Sequence, residues 1–288
     1  MKLLSAILSG ILAISAAAAD AETETDTRKE ISTKINSVEY VILVNSDGKT
    51  AELKSVYLPY SYAEADVPAE IEGYKITAIG EKAYAGNFTV ETINIGENIK
   101  SMGAKAFMSC YELKEVVLNA PITAIPDDCF FSCPKLETVV IPKTVKTIGE
   151  EAFFGCVAYD AAIPSTVTKI GENAIGMTAE THGEGNAVIP DFIIRGTTGT
   201  AAEKYAKAQG IEFIDVKKID LGDANGDEVV DSSDASAVLA EYALISTGSP
   251  LTFSRKQRIF ADISLDGLVD SSDASLILEK YAKISTGG

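Results

Sequence analysis

Two stretches near the C-terminus set oxygen-bearing side chains at a spacing that can wrap a metal ion. The first runs Asp223, Asn225, Asp227, Asp231 and Asp234; the second runs Asp262, Ser264, Asp266, Asp270 and Asp273. In each, the oxygens fall at positions 1, 3, 5, 9 and 12 of a twelve-residue loop, and the copies are offset by 39 residues. Ca²⁺ is a hard cation that takes about six to eight oxygens, and this spacing supplies them. Position 7 contributes a backbone carbonyl, so Val229 and Leu268 can stand there and count among the ligands. One such loop can be a solvated turn. Two complete copies point to two bound Ca²⁺ ions.

The elements that must position these loops follow each of them. Residues 235–245 and 274–284 read as helices, with Leu239 matching Leu278, Tyr242 matching Tyr281 and Ile245 matching Ile284. Each is expected to start at the last Asp of its loop, where a carboxylate favours a helix N-terminus. Val230 and Val269, at position 8, are expected to pair the two loops and enter the core.

The loops depart from an ordinary EF-hand. Position 12 is Asp rather than Glu, and residues 217–222 are too few for a helix entering the first loop. Position 6 of the first loop is Glu228, where Gly is usual, and Ser264 is a weak ligand. The first two departures, with the duplicated Asp-Ser-Ser-Asp-Ala-Ser segment, make residues 219–288 resemble a type I dockerin. The resemblance implies a small all-α module with two EF-hand-like calcium loops. It also implies a partner: a cohesin domain on a scaffolding protein, as in the cellulosomes of anaerobic bacteria. Carried over residue by residue, the contact positions are Ser232, Ser233, Leu239, Ala240 and Leu244 in one copy. In the other they are Ser271, Ser272, Leu278, Glu279 and Lys283. Leu239 and Leu278 read equally as core residues. Because Ala240 and Leu244 face Glu279 and Lys283 across the repeat, one docking face is expected to dominate.

The middle of the chain repeats too. Ile79-Gly80-Glu81-Lys82-Ala83-Tyr84 recurs from Met102, Ile125, Ile148 and Ile170, at spacings of 23, 23, 23 and 22. A second apolar patch recurs at Ile93 and Ile95, Val116 and Leu118, Val139 and Ile141, and Ile163. Short alternating runs read as strands, and the Ala-Phe element reads as a turn that plugs the core. One copy cannot bury its own apolar face; copies stacked at a strand spacing of about 4.8 Å can. The pattern I-G-x-x-A-F-x-x-C followed by L-x-x-V-x-I-P resembles the BspA-like bacterial leucine-rich repeats over residues 67–216. The stretch from Phe192 to Ile214 looks like that family's closing helix and strand, and residues 38–66, with a Ser46-Asp47-Gly48 turn, look like an N-terminal cap. Residues 22–37 read as a flexible leader. The expected fold is therefore multidomain: a β-rich leucine-rich-repeat solenoid followed by a small all-α dockerin.

Cys110, Cys133 and Cys156 also lie 23 apart, and Cys129 takes an Ala position. They are expected as free thiols in the solenoid core. The only His, His182, falls in an irregular insertion at residues 178–185, so neither zinc nor a Ser/His/Asp set is supported.

The 46% apolar content can bury a core, and the 23% charged content argues against bulk disorder. A net charge of −17 opposes nucleic acid and anionic membranes. Residues 1–21 read as an export signal: Lys2, an apolar stretch over residues 3–14, then small residues with cleavage after Ala19 or Ala21. No later run is long and apolar enough to insert in a membrane. The expected product is a secreted, extracellular, non-catalytic binding protein held in a cellulosome-type or cell-surface complex. Its repeats would present a surface to a protein or a glycan. The alternatives are a cell-surface adhesin and, with less support, a polysaccharide-degrading enzyme, since facing carboxylates are not excluded by composition.

Overall fold

The computed structural model describes residues 26–60, 62–136, 140–157, 160–180 and 185–286 of the chain. The export signal, Val139 and His182 lie outside them. Each 23-residue repeat adds one coil to a stack of short parallel strands. Tyr74–Ile79 pairs in parallel with Ser101–Met102, and a separate parallel sheet joins Ala124–Ile125, Thr147–Ile148 and Lys169–Ile170. A second joins Glu64–Asp66, Thr92–Ile95 and Glu115–Leu118. Past a single bridge from Val140 to Ala162, the same side of the solenoid closes with Asp160–Ala162, Ile193–Gly196 and Glu212–Asp215, all parallel.

The core follows from the repeat. Tyr84, Phe107, Phe130 and Phe153 stack ring on ring at 5.2, 5.2 and 5.1 Å. Beside them the Cys110, Cys133 and Cys156 thiols donate to the carbonyls of Tyr84, Phe107 and Phe130 at 3.2–3.3 Å, each one coil back. All four cysteines are buried and free, and burial pushes the Cys129 and Cys156 thiols well above their ordinary value. The glycine of the Ile-Gly pair is fixed by contact between coils. A Cβ on Gly149 would lie 2.4 Å from the backbone nitrogen of Asp127, and one on Gly171 equally close to that of Glu150.

Both ends are capped. Glu30–Ile35, Val38–Val44 and Thr50–Tyr57 form an antiparallel meander whose last strand pairs in parallel with Tyr74–Ile79. Residues 30–35 are thus an ordered edge strand rather than leader. Asp47 shapes the turn before Thr50, accepting from the Lys49 and Thr50 amides. At the other end, helix α1 (Ala201–Gln209) closes the stack. There the Tyr205 hydroxyl accepts from the Ile175 amide and donates to the Ile175 carbonyl. In the stretch expected to be irregular, the described residues Met177–Ala179 and Asn186–Val188 pair as antiparallel strands.

The C-terminal region holds α2 (Ser232–Thr247), α3 (Arg255–Ala261) and α4 (Ser271–Thr286). Their small core contains Ala224, Val230, Ala235, Val238, Ala261, Ala274 and Ile277. Val230 is buried and Val269 packs against the same cluster, but no backbone ladder joins the two loops among the described residues. The helices start inside the loops, earlier than expected. Asp231 accepts from the Ser233 amide while Asp234 accepts from the Asp231 amide, a reciprocal cap that starts the helix at Ser232. Asp270 and Asp273 repeat the arrangement for α4.

Candidate calcium loops and docking faces

The two loops share one conformation that their sequences do not share. Positions 4 and 6 take left-handed backbone in both: Gly226 and Glu228 at φ 82° and 68°, then Leu265 and Gly267 at φ 58° and 89°. The first-position carboxylate folds back on the loop each time. Asp223 accepts from the amides of Gly226, Asp227 and Glu228, and Asp262 from those of Asp266 and Gly267. Position 5 closes the next turn, Asp227 accepting from Val229 and Asp266 from Leu268. Position 12 spans the loop: Asp234 accepts from the amides of Asn225 and Asp231, and Asp273 from those of Ser264 and Asp270.

These oxygens are drawn into two small loops, but among the described residues no three acidic side chains already converge on one point. Each carboxylate instead spends its bonds on backbone amides, and a cation would have to gather them. The donor set fits a hard dication. Its side chains offer oxygen only, and Asp234 and Asp273 are fully buried acids that no ion pair reaches among the described residues. An unpaired buried carboxylate is costly unless a cation or a proton neutralises it. Burial raises the Asp273 carboxyl from 3.8 to about 6, against the pull of its amide bonds. Ser264 is the weakest ligand of the set, a short hydroxyl whose proton is donated to Asp262 at 3.2 Å.

The helices that follow turn unequal faces to solvent. Val238 and Ile277, not their neighbours, enter the core. Leu239 and Leu278 are 47% and 46% exposed, so the structure decides against the core reading of this pair. Tyr242, Ile245, Tyr281 and Ile284 are exposed with them. The serine pairs Ser232/Ser233 and Ser271/Ser272 stand in the open at the N-terminal ends; further along, Ala240, Glu279 and Lys283 are exposed and Leu244 is half-buried. Lys283 pairs with Glu279 at 2.6 Å, so the second face is charged where the first is apolar.

Comparison with known proteins divides the chain at the same place. The BspA type leucine rich repeat region matches six copies over residues 68–179, and the dockerin type I domain matches residues 221–281. The chain joins BspA-type leucine-rich repeats to a type I dockerin domain. No curated protein matches it. Among solved structures it is similar to the T. pallidum leucine rich repeat protein, at 20% identity over 54% of this chain and 68% of that one, TM-score 0.46. A leucine-rich repeat protein from Bacteroides ovatus is 20% identical over 61% of this chain and 51% of its own, TM-score 0.47. A leucine rich cell surface protein from Faecalibacterium prausnitzii is 16% identical over 60% and 74%, TM-score 0.32.

Type I dockerin domains generally bind calcium. Two residues that hold this dockerin together escape a reading of the loops alone. Glu241, buried on α2, accepts from the Thr252 amide and hydroxyl and from the Phe253 amide, fixing the connection to α3. Burial pushes its carboxyl up, and those bonds outweigh it and hold it below its ordinary value. Lys280 on α4 pairs with Asp220 and donates to the Leu221 carbonyl at 2.5 Å, tying down the strand of chain that enters the first loop. The available signal for the first was an acid three residues after Val238, on the apolar side of the helix; the second had none. Among the described residues no helix is long and apolar enough to cross a membrane.

Proposed function

We propose that this chain is a secreted, non-catalytic binding protein that its dockerin fastens to a cohesin domain of a cellulosome-type scaffold. The observation that carries the reading is the pair of solvent-facing apolar rows on α2 and α4, Leu239/Tyr242/Ile245 and Leu278/Tyr281/Ile284. Two helices of one small module keep large apolar side chains in water at matched positions, which marks an interaction surface. Two calcium ions would be held by the loop oxygens, Asp223, Asn225, Asp227, the Val229 carbonyl, Asp231 and Asp234 in one. In the other they are Asp262, Ser264, Asp266, the Leu268 carbonyl, Asp270 and Asp273. When bound, calcium supplies the counter-charge that lets these carboxylates close around one point. The repeats would then display a protein- or glycan-binding surface, on which Phe88 and Tyr111 stack at 5.5 Å while standing exposed.

The test is calorimetric titration of the full chain with a panel of cohesin domains, with calcium and with chelator. Binding in calcium alone is expected; none under either condition sinks the docking role. Replacing Ser232 and Ser233 by Ala, and separately Ser271 and Ser272, measures the two faces. Unequal losses are expected from the Ala240/Glu279 and Leu244/Lys283 differences, and equal losses would rule out a dominant face. The exposed aromatic pair favours one second reading, a surface adhesin, which glycan-array binding and pull-down from a cell-surface extract would separate into its carbohydrate and protein forms.

A further inference from the structure

The second calcium loop is held by a cation of the protein's own. Arg195 lies in the closing strand Ile193–Gly196 of the repeat domain. Strand alternation sends Ile194 into the solenoid core and Arg195 to the outer face. A strand-face arginine at the end of a solenoid belongs in water, yet Arg195 is 3% exposed. Its Nε bonds Asp160 Oδ2 at 2.6 Å on the neighbouring strand, and its Nη1 bonds Asp262 Oδ2 at 2.5 Å. Asp262 is the first residue of the second calcium loop, and it is 1% exposed. On the same outer face, the strands Ile193–Gly196 and Glu212–Asp215 and the start of α3 border a cleft of about 450 Å³ lined by Ile193, Glu212, Ile214, Ser254 and Lys256.

The first loop has no such partner. Asp223, its equivalent residue, is half-buried and gives its oxygens to its own loop's amides. Among the described residues no lysine or arginine pairs with it. The guanidinium and a dication would stand beside the same carboxylate in a site shielded from water. Like charges repel strongly at that range and in that medium. Whatever the detailed geometry, calcium at the second loop must therefore work against Arg195. Ser264, a weaker ligand than Asn225 at the same position of the first loop, leaves the loop less with which to compete.

We propose that Arg195 is a resident counterion for Asp262, which makes the two loops unequal and latches the dockerin to the repeat domain. The first loop binds calcium freely. The second binds it at the expense of the Arg195 ion pair, and by reciprocity calcium there loosens the dockerin from the solenoid. The inference rests on the calcium reading of the loops given above.

The experiment is calorimetric titration of the full chain with CaCl₂, comparing the wild type with Arg195→Met and Asp160→Asn. The first variant removes the competing charge but keeps much of the side chain's bulk. It is expected to tighten the weaker site at least tenfold, or to reveal a second site, while leaving the stronger site within about twofold. The second variant frees Arg195 from Asp160 and commits it to Asp262, so the weaker site should weaken severalfold. Damage to the fold would push both variants in one direction, and the latch requires opposite ones. Small-angle scattering should show the wild type expanding when calcium is added, and Arg195→Met already expanded without it. Calcium heats that are unchanged or weakened in Arg195→Met would overturn the latch while leaving the calcium loops standing. No calcium heat in any form of the chain would overturn both.

Discussion

Glu228 holds a backbone conformation that its side chain resists. At φ 68° it occupies the left-handed region, where a Cβ costs roughly 1–2 kcal/mol and glycine costs nothing comparable. The second loop places Gly267 at the same position and meets no such cost. Glu228→Gly is therefore expected to stabilise the dockerin by about 1 kcal/mol, read as a rise in the midpoint of its thermal unfolding. The loss of one acidic side chain from a strongly acidic module acts in the same direction. Asp273 makes a second prediction at this scale. Its carboxyl sits at about 6 in the folded chain against 3.8 as an ordinary aspartate. A carboxyl raised by folding binds its proton more tightly in the native state, so its contribution favours the metal-free fold at low pH. That contribution is lost as pH rises from about 4 through 6. Calcium needs the carboxylate, so the proton competes with it. Affinity at the second loop should fall about tenfold per pH unit below 6, measured by calcium titration at pH 7 and pH 5. The departure at Glu228 was visible in the sequence because the second loop supplies a glycine for comparison. Leu265 at φ 58° was not, since nothing in its own residue type announces a left-handed turn.

The repeat shows what periodicity can and cannot convey about an element. The 23-residue spacing of aromatic, cysteine and Ile-Gly positions is a direct record of stacking, because each side chain meets its own counterpart one coil away. The glycine in that record is a matter of space. A methyl group on Gly149 would sit 2.4 Å from the backbone of the coil before it, and backbone cannot rotate aside as a side chain can. Gly149→Ala is expected to cost about 1–3 kcal/mol, the range for overpacking a close-fitted site. Chemical denaturation of the repeat transition measures it, and an unchanged midpoint would show that the coils can separate at no cost. Pro126 stands where the third repeat would carry that glycine, so the contact is variable in type there. The strand Glu30–Ile35 escaped a reading by pattern for a related reason. It lies at a sheet edge and alternates only weakly, with Ile31 and Thr33 half-buried and no side chain fully buried, so the pattern in the residues is faint. The start of α2 was likewise displaced by three residues because the Asp231–Asp234 cap lies within the loop motif, where ligand spacing masks helix signals.

At the scale of the whole molecule, two cores of very different size share one chain. The solenoid core runs from Val38 to Ile211, whereas among the described residues the dockerin core is a cluster of seven buried apolar side chains. The junction between them was legible only as a short one; its main tie, Arg195 to Asp262, links residues 67 apart that no local pattern connects. A core of seven small or medium side chains gives a module of this size little independent stability. Any ligand bound to the folded form alone adds to it, by about 2.7 kcal/mol for each site held at a hundred times its Kd. The solenoid has no comparable dependence, since its stability comes from coil on coil. Calorimetric unfolding of the full chain should therefore show two transitions. Chelator should lower the dockerin transition by many degrees and remove the helical signal of α2 and α4, leaving the repeat transition in place. A single transition that ignores calcium would deny the loops their metal. If instead one transition moves as a unit with calcium, the two domains unfold together with calcium bound, and calcium does not part Arg195 from Asp262.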